Sequence, residues 1–293
     1  MRHTGALQTL KHEMLNTVAN NYLKPIKELK NSEALMNFLS HSTAKPSHYN
    51  KEARFYDAFD EKNSEQINHL IETILKKYPV KTVLDLTCGT GSQVFWLTKC
   101  GYDVIGSDIN SNMLKIAKSK AKKEKLNVKF IKGDMRTIQV DIFDAAITIF
   151  NAVGHLTKLD FEKAMQNIHS NLKDNGLYIF DINNLHYLLK DNNITDLTID
   201  RQKITDGTTV REIQYSTINK DGILASYTTF YTQKGHNKPR ISRSAQTLQV
   251  YTAKQLQEML HRNGFKVVRQ CGIDGSRFSE TKSDRIVTIA QKR

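Results

Sequence analysis

The chain has 293 residues and a formal net charge of +13, so it is long enough to bury a full core and basic enough to attract polyanions. Its three cysteines, Cys88, Cys100 and Cys271, lie far apart without the spacing of metal ligands, which argues against a disulfide framework and a zinc site. No stretch approaches the roughly eighteen apolar residues of a membrane span, and the N-terminus lacks a secretory signal. We therefore expect a cytoplasmic protein that binds no metal and no membrane.

Residues 1–48 are predicted to form a helical extension. Apolar residues recur at helical spacing through residues 7–23, and a second helix is predicted near residues 32–41. Pro25 separates the two helices and Pro46 closes the second. We expect the extension to pack on the body of the protein or on a partner chain, which leaves a homodimer open.

The glycine loop that follows the first predicted strand is the most informative motif. Residues 83–86 are typical of a strand, and a helix is predicted to begin near Ser92. Between them, Gly89 and Gly91 allow the backbone to take positive φ and lie against a ligand, while N–H groups at the helix start point toward it. The loop lacks the G-x-G-x-x-G pattern of dinucleotide sites and the Gly-Lys-Ser/Thr of triphosphate sites, which disfavours NAD and ATP. Taken alone, it could be a plain strand-to-helix connection.

Polar residues follow each of the next three predicted strands. The second strand ends in Asp108, whose carboxylate suits a ribose diol. The third strand is followed by Asp134, and the fourth by residues 151–155. Strands and helices alternate from Thr82 to Asp181, so we predict a parallel sheet whose loops converge on one crevice.

The densest basic patch lies on the helix predicted after Asp108. It comprises Lys115, Lys118, Lys120, Lys122, Lys123 and Lys125. Apolar residues of the same helix are predicted to face inward, so a solvated helix face explains these lysines better than a stripe that binds nucleic acid. A nucleic-acid partner is therefore disfavoured but left open.

Between residues 188 and 250 the pattern changes to short strands separated by hairpin turns. The turns are predicted at Asp206-Gly207, Asp221-Gly222 and Lys234-Gly235. We predict that residues 188–250 form an antiparallel insert, a substrate lid, within a core domain made of residues 49–187 and 251–293. The predicted fold class is α/β: a Rossmann-like, doubly wound, seven-stranded, mostly parallel sheet with an antiparallel β insert after the fifth strand and an N-terminal helical extension.

From about Tyr56 to Ile289 the sequence resembles the class I S-adenosylmethionine-dependent methyltransferases. The glycine loop, Asp108, the segment Gly133-Asp134-Met135-Arg136 and the late helix and turn of residues 251–265 occur in the family's order. The segment at residues 133–136 and the segment Asn151-Ala152-Val153-Gly154-His155-Leu156 resemble more narrowly the amino-sugar N,N-dimethyltransferases and the glycine N-methyltransferases.

The resemblance implies that S-adenosylmethionine is the cofactor. By this likeness the glycine loop holds its methionine part, Asp108 accepts both ribose hydroxyls, and Asp134 with Met135 frames the adenine. The implied cofactor-binding residues are Asp85, Thr87, Gly89, Gly91, Asp108, Ile109, Met113, Asp134, Met135 and Asn151. One departure is Thr87, which stands where the family usually has the first glycine of the loop.

Two residues are candidates for catalysis. His155 follows the fourth strand, and an imidazole that titrates near working pH can take a proton from an amine. The alternative is that His155 is exposed to solvent or makes a structural hydrogen bond. Tyr56 lies in an aromatic segment resembling the one that closes over the cofactor in amino-sugar methyltransferases; a packing patch is the alternative. Methyl transfer from a sulfonium depends mainly on alignment and exclusion of water, so few catalytic residues are needed.

The motifs together predict a methyltransferase that acts on a small molecule, with an amine nitrogen favoured as acceptor. Asn151 is followed by Ala152 rather than by the Pro-Pro-Tyr/Phe of enzymes that methylate exocyclic amines of nucleobases, which disfavours that substrate class. Two alternatives stay open. One is a methyltransferase for RNA or another polyanion, and the other is a non-catalytic sensor or scaffold that binds S-adenosylmethionine.

Overall fold

The computed structural model describes residues 40–50, residue 53 and residues 61–293. The two helices predicted for the N-terminal extension, apart from residues 40–41, lie outside the described residues, as does Tyr56. Within the described part, no helix is both long and apolar enough to cross a bilayer.

The β structure of the described residues consists of two sheets. Its strands are β1 (Thr82–Asp85), β2 (Asp103–Asp108), β3 (Lys129–Lys132), β4 (Phe143–Thr148), β5 (Leu172–Asn183), β6 (Ile199–Thr205), β7 (Thr208–Ile218), β8 (Ile223–Lys234), β9 (Arg240–Gln249), β10 (Phe265–Cys271) and β11 (Arg285–Lys292). The larger sheet has seven strands in the order β10-β11-β5-β4-β1-β2-β3, and only the pairs made by β11 are antiparallel. The predicted seven-stranded, mostly parallel sheet is therefore confirmed.

Helices cover both faces of this sheet, as a doubly wound fold requires. In the described residues they are α1 (Glu61–Leu75), α2 (Ser92–Lys99), α3 (Ser111–Glu124), α4 (Lys158–Ser170), the short α5 (Leu185–Leu189) and α6 (Ala253–Arg262). Helices α1 to α3 pack on the sheet face that carries Val83, and α4 and α6 pack on the face that carries Leu84. Neighbouring residues of β1 thus enter opposite cores, because side chains alternate across a strand.

A side-chain cap sets the start of α3, next to the end of β2. Asn110 is buried, and its Oδ1 accepts hydrogen bonds from the backbone N–H groups of Asn112 and Met113. Such caps stabilise a helix by about 1 kcal/mol. The cap also fixes the direction in which the chain leaves β2, and therefore the position of Asp108 two residues earlier.

The second sheet is antiparallel, with the strand order β6-β7-β8-β9. The predicted turns at residues 206–207, 221–222 and 234–235 connect its consecutive strands, so the antiparallel insert is confirmed. Strand β6 was not predicted as a separate strand. Most of its side chains are exposed and polar, so its sequence lacks the apolar alternation by which strands are recognised.

Candidate active site

A cavity opens at the carboxyl ends of β1 to β4. The empty space within it and at its open mouth amounts to about 810 Å³. The predicted site residues that line it are Thr87, Gly89, Asp108, Ile109, Met113, Asp134, Met135 and His155. Asp85, Gly91 and Asn151 do not line it. Asp108 and Asp134 thus share one hollow, because the carboxyl ends of parallel strands meet at one edge of the sheet.

The glycine loop takes a conformation that requires glycine at residue 91. Gly91 has φ +99° and precedes the first turn of α2, and a Cβ atom there would lie 2.7 Å from the ring of Phe95. The backbone N–H of Gly89 donates a hydrogen bond of 2.8 Å to Oδ2 of Asp108. The loop is therefore tied to the end of β2, and Gly91 shapes it from outside the cavity.

Two buried oxygen atoms in this loop have no hydrogen-bond partner. Oδ1 of Asp85 accepts from the backbone N–H of Thr87 at 3.1 Å, but its Oδ2 and the hydroxyl of Thr87 are both without partners. Burial, opposed by the hydrogen bond from Thr87 and aided by the nearby Asp108, raises the pKa of Asp85 to about 8. Because buried polar atoms normally have partners, this pair indicates a place for a polar or cationic ligand group.

Asp108 presents a carboxylate that is only partly satisfied by the protein. Oδ1 accepts from the N–H of Asn110 at 2.7 Å and Oδ2 from the N–H of Gly89 at 2.8 Å. A carboxylate offers about four acceptor positions, so two remain after these two bonds. Burial raises the pKa of Asp108. The side chain lines the cavity and retains the capacity to accept from two hydroxyl groups.

Asp134 is held by an arginine that sequence reasoning did not single out. Nε and Nη2 of Arg136 donate to both carboxylate oxygens of Asp134, and Nη1 donates to Asp160 on α4 at 2.7 Å. Although burial alone would raise the pKa of Asp134, the bonds from Arg136 hold it below its usual range. The pairing of Arg136 with Asp134 could have been predicted, because the two residues are only two positions apart. The second partner of Arg136, Asp160, is twenty-four residues away and could not.

Residues 41–50, which we call the strap, form part of the cavity wall. From the sequence, residues 41–48 were assigned to the N-terminal extension and residues 49–50 to the core domain, and nothing in their pattern indicated a role in the site. The backbone N–H of Ala44 donates to the carbonyl of His155 at 2.9 Å, and the side chain of Asn110 donates to the carbonyl of Pro46 at 2.9 Å. Thr43 donates to Asp160, and this bond is the main reason that the pKa of Asp160 is lowered. The strap is therefore attached to both sides of the cavity.

His155 lines the cavity, but its environment differs from the one expected. Its Nε2 lies 2.6 Å from the hydroxyl of Tyr49, and its Nδ1 is buried without a partner. Burial, followed by the nearby His48 and His41, lowers the pKa of His155 to about 3. The expectation that this imidazole titrates near working pH is therefore wrong, because the strap shields it from water and places two further histidines beside it.

The low pKa of His155 has a consequence for stability that can be measured. Below about pH 6.5 the unfolded chain binds a proton at His155 that the folded protein does not, so stability falls as the pH drops from 7 toward 4. We expect His155→Gln to reduce that loss by about 1–2 kcal/mol at pH 5, measured by urea unfolding across the pH range.

His236→Gln is the control, because His236 is exposed in a turn between β8 and β9. It should leave the pH dependence of unfolding unchanged. Parallel stability curves for wild type and His155→Gln would show that His155 is solvated and titrates normally.

Asn151 contacts the protein rather than the cavity. Its Oδ1 accepts from the backbone N–H of Asn183 at 2.8 Å, and both it and Phe150 have positive φ. The N–H of Phe150 donates to the buried Asp181, which also pairs with Arg285. These contacts hold a strained pair of residues at the end of β4, and Phe150 itself lines the cavity. The structure thus gives Asn151 a supporting contact instead of the cavity position predicted for it.

Comparison with known proteins agrees with this arrangement. Residues 83–176, which span the glycine loop, Asp108 and Asp134, match the family model described as a methyltransferase domain. Over these residues the chain is similar to methyltransferase domains. A glycine/sarcosine N-methyltransferase from Parasynechococcus marenigrum is 35% identical over 121 residues, which are 40% of this chain and 43% of that protein. The chain spans about half the length of the first curated relatives that it matches.

Solved methyltransferase structures share the fold over most of the chain. A S-adenosylmethionine-dependent methyltransferase from Clostridium acetobutylicum superposes with a TM-score of 0.69 at 18% identity, covering 83% of this chain and 98% of that one. CalS10, an amino pentose methyltransferase from Micromonospora echinaspora, superposes with a TM-score of 0.62 at 16% identity, covering 87% of this chain and all of that one. At such identities the likeness shows the fold alone.

Proposed function

We propose that this protein transfers a methyl group from S-adenosylmethionine to a small-molecule acceptor, and that the acceptor atom is an amine nitrogen. The observation that carries the proposal is the cavity at the sheet edge, which places Asp108, Asp134 and the unpartnered hydroxyl of Thr87 around one hollow. The nitrogen preference rests on the relatives named as N-methyltransferases and on the narrower sequence likeness at residues 133–136 and 151–156.

The residues present fit this cofactor group by group. Asp108 retains acceptor positions for the two ribose hydroxyls, and Ile109 and Met135 supply apolar walls for an adenine ring. The unpartnered hydroxyl of Thr87, which lines the cavity, suits the ammonium of the methionine part. When bound, the cofactor supplies a methyl group activated by a sulfonium.

The chain's own contribution is then to align the acceptor and exclude water. His155 and Tyr56 stay our candidates for contact with the acceptor. His155 lines the cavity and is neutral there. A neutral imidazole nitrogen can accept a hydrogen bond from the N–H of the amine substrate, whereas the low pKa of His155 disfavours the transfer of the amine's proton to it.

We also propose that the antiparallel sheet is the substrate lid. Its strand β9 contacts the strap through two side-chain bonds: His41 with Thr247, and His48 with Gln246, each 2.9 Å long. His48 lines the cavity, so β9 is connected to the space beside the cofactor. The core domain would comprise residues 49–187 and 251–293, with residues 41–48 of the strap as an added wall. A cytoplasmic location and a homodimer stay predictions.

The proposal predicts that S-adenosylhomocysteine is released when the protein meets S-adenosylmethionine and a suitable amine. We would screen amino sugars, glycine-like amino acids and small alkylamines, with matched alcohols as the comparison set, and follow S-adenosylhomocysteine by mass spectrometry. Turnover should require an amine and should be lost in Asp108→Ala.

Two results would redirect the assignment. Turnover with RNA only, with an affinity that falls steeply with salt, would favour the polyanion alternative, to which the exposed lysines of α3 would then contribute. Tight cofactor binding without turnover on any acceptor class would favour the sensor or scaffold.

A further inference from the structure

Tyr49 and His155 form a close pair inside the cavity wall. The hydroxyl of Tyr49 lies 2.6 Å from Nε2 of His155, and the two rings meet edge to face with centroids 5.4 Å apart. The other ring nitrogen, Nδ1, is buried and has no hydrogen-bond partner. Both side chains line the cavity. Tyr49 of the strap thus contacts Nε2 of His155, and Nδ1 of His155 stays without a hydrogen-bond partner.

The two neutral tautomers of His155 have different costs in this setting. If Nδ1 carries the proton, the protein buries an N–H donor without an acceptor, which costs about 1–3 kcal/mol. If Nε2 carries it, that N–H donates to the oxygen of Tyr49, and Nδ1 is left as a bare acceptor. Buried donors without partners are rarer than incompletely satisfied acceptors. The arrangement therefore favours the proton on Nε2.

The doubly protonated imidazolium is disfavoured as well. His48 lies beside His155, with ring centroids 5.1 Å apart, and both His48 and His41 would repel a positive charge there. A bound sulfonium would add a further positive charge to the same cavity. The surrounding charges thus keep the imidazole neutral, and the hydrogen bond to the strap selects one of its two neutral tautomers.

We propose that Tyr49 is a positioning residue that holds His155 in the tautomer with a bare Nδ1, so that this nitrogen accepts a hydrogen bond from the N–H of the methyl acceptor. This inference rests on the proposed function. A neutral amine that donates its N–H to a fixed acceptor has its lone pair turned in a defined direction, and an in-line displacement depends on that direction. In this arrangement His155 orients a neutral nitrogen and does not need to take its proton before the transfer.

Tyr49→Phe isolates the hydroxyl group, because it keeps the aromatic ring that packs against His48 and His155. In full-length protein labelled with ¹⁵N-histidine, two-dimensional ¹H–¹⁵N spectra report which ring nitrogen carries the proton. The signals of His155 are identified by their loss in His155→Gln. We expect a single tautomer protonated at Nε2 in the wild type and a mixture of both tautomers in Tyr49→Phe.

Kinetics supply the second readout. Tyr49→Phe should lower kcat by roughly 10-fold, the equivalent of one hydrogen bond, while the Kd for S-adenosylmethionine changes less than twofold. A matched control is Tyr187→Phe, which removes an exposed hydroxyl that bonds Asp196 outside the cavity, and it should change neither quantity.

A wild-type spectrum with the proton on Nδ1, or an unchanged tautomer in Tyr49→Phe, would overturn the inference. The spectra do not depend on turnover. If the protein methylated none of the amines tested, that result would contradict the proposed function, and the spectra would still show which nitrogen of His155 carries the proton. If Tyr49→Phe lost its fold, the wild-type spectrum alone would still decide which nitrogen is protonated.

Discussion

Asp108→Asn is expected to weaken binding of S-adenosylmethionine at least 100-fold. The carboxylate already accepts from the N–H groups of Gly89 and Asn110 and has two acceptor positions left for the ribose hydroxyls. An amide of the same shape has one oxygen, so it cannot serve all four donors. Hydrogen bonds to charged groups contribute about 1.5–3 kcal/mol each, and losing two of them accounts for a change of this size. Isothermal titration calorimetry measures it directly.

Asp103→Asn is the matched control for this change. Asp103 is exposed at the opposite end of the same strand, β2, and does not line the cavity. It should leave the Kd for S-adenosylmethionine unchanged, and a thermal scan of Asp108→Asn should show a folded protein. An affinity within threefold of wild type in Asp108→Asn would remove Asp108 from the ribose site, and the cofactor assignment with it.

Asp181→Ala is expected to destabilise the folded protein by about 3–5 kcal/mol. The Asp181 carboxylate is fully buried, pairs with Arg285 and accepts the N–H of Phe150 at 2.6 Å. Removing it leaves the guanidinium of Arg285, which is largely buried, without its charge partner, and releases the strained backbone at the end of β4. Urea unfolding followed by circular dichroism gives the change in the free energy of unfolding.

Glu162→Ala tests whether the environment of the ion pair sets the size of this effect. Glu162 pairs with Arg262 at 2.6 Å, but both side chains are substantially exposed. Loss of such a pair costs less than about 1 kcal/mol. Since Phe150 lines the cavity, Asp181→Ala should also weaken cofactor binding, whereas Glu162→Ala should not. Equal effects of the two substitutions on stability would mean that Asp181 is far more solvated than the structure shows.

Most of the cavity wall formed by the strand ends could be predicted because its signals are local. The strand before the glycine loop, the glycines that permit the turn, and the carboxylates at the end of β2 and after β3 each occupy a few consecutive residues. Alternation of strands and helices then brings Asp108 and Asp134 to one edge of a parallel sheet without further information. The alternation of strands and helices also predicted Asn151 at that edge. It could not predict that the side chain of Asn151 accepts a hydrogen bond from the backbone of Asn183.

The opposite wall could not be predicted in the same way. The strap has no periodic pattern, and its bonds reach partners more than one hundred residues away, such as Tyr49 with His155 and Thr43 with Asp160. Strand β6 was missed because its exposed, polar side chains carry no alternation. The pKa of His155 depends on burial and then on the nearby His48 and His41, all of which follow from the folded chain alone.

By itself, the order of residues determined the wound sheet, the antiparallel insert and the carboxylates at the strand ends, since turn chemistry and hydrophobic periodicity act between near neighbours in the chain. Tertiary structure decided which of those side chains face the cavity, which are tied to the protein, and whether His155 carries a charge. Burial and long-range hydrogen bonds set these properties, and both arise only when segments distant in sequence pack together.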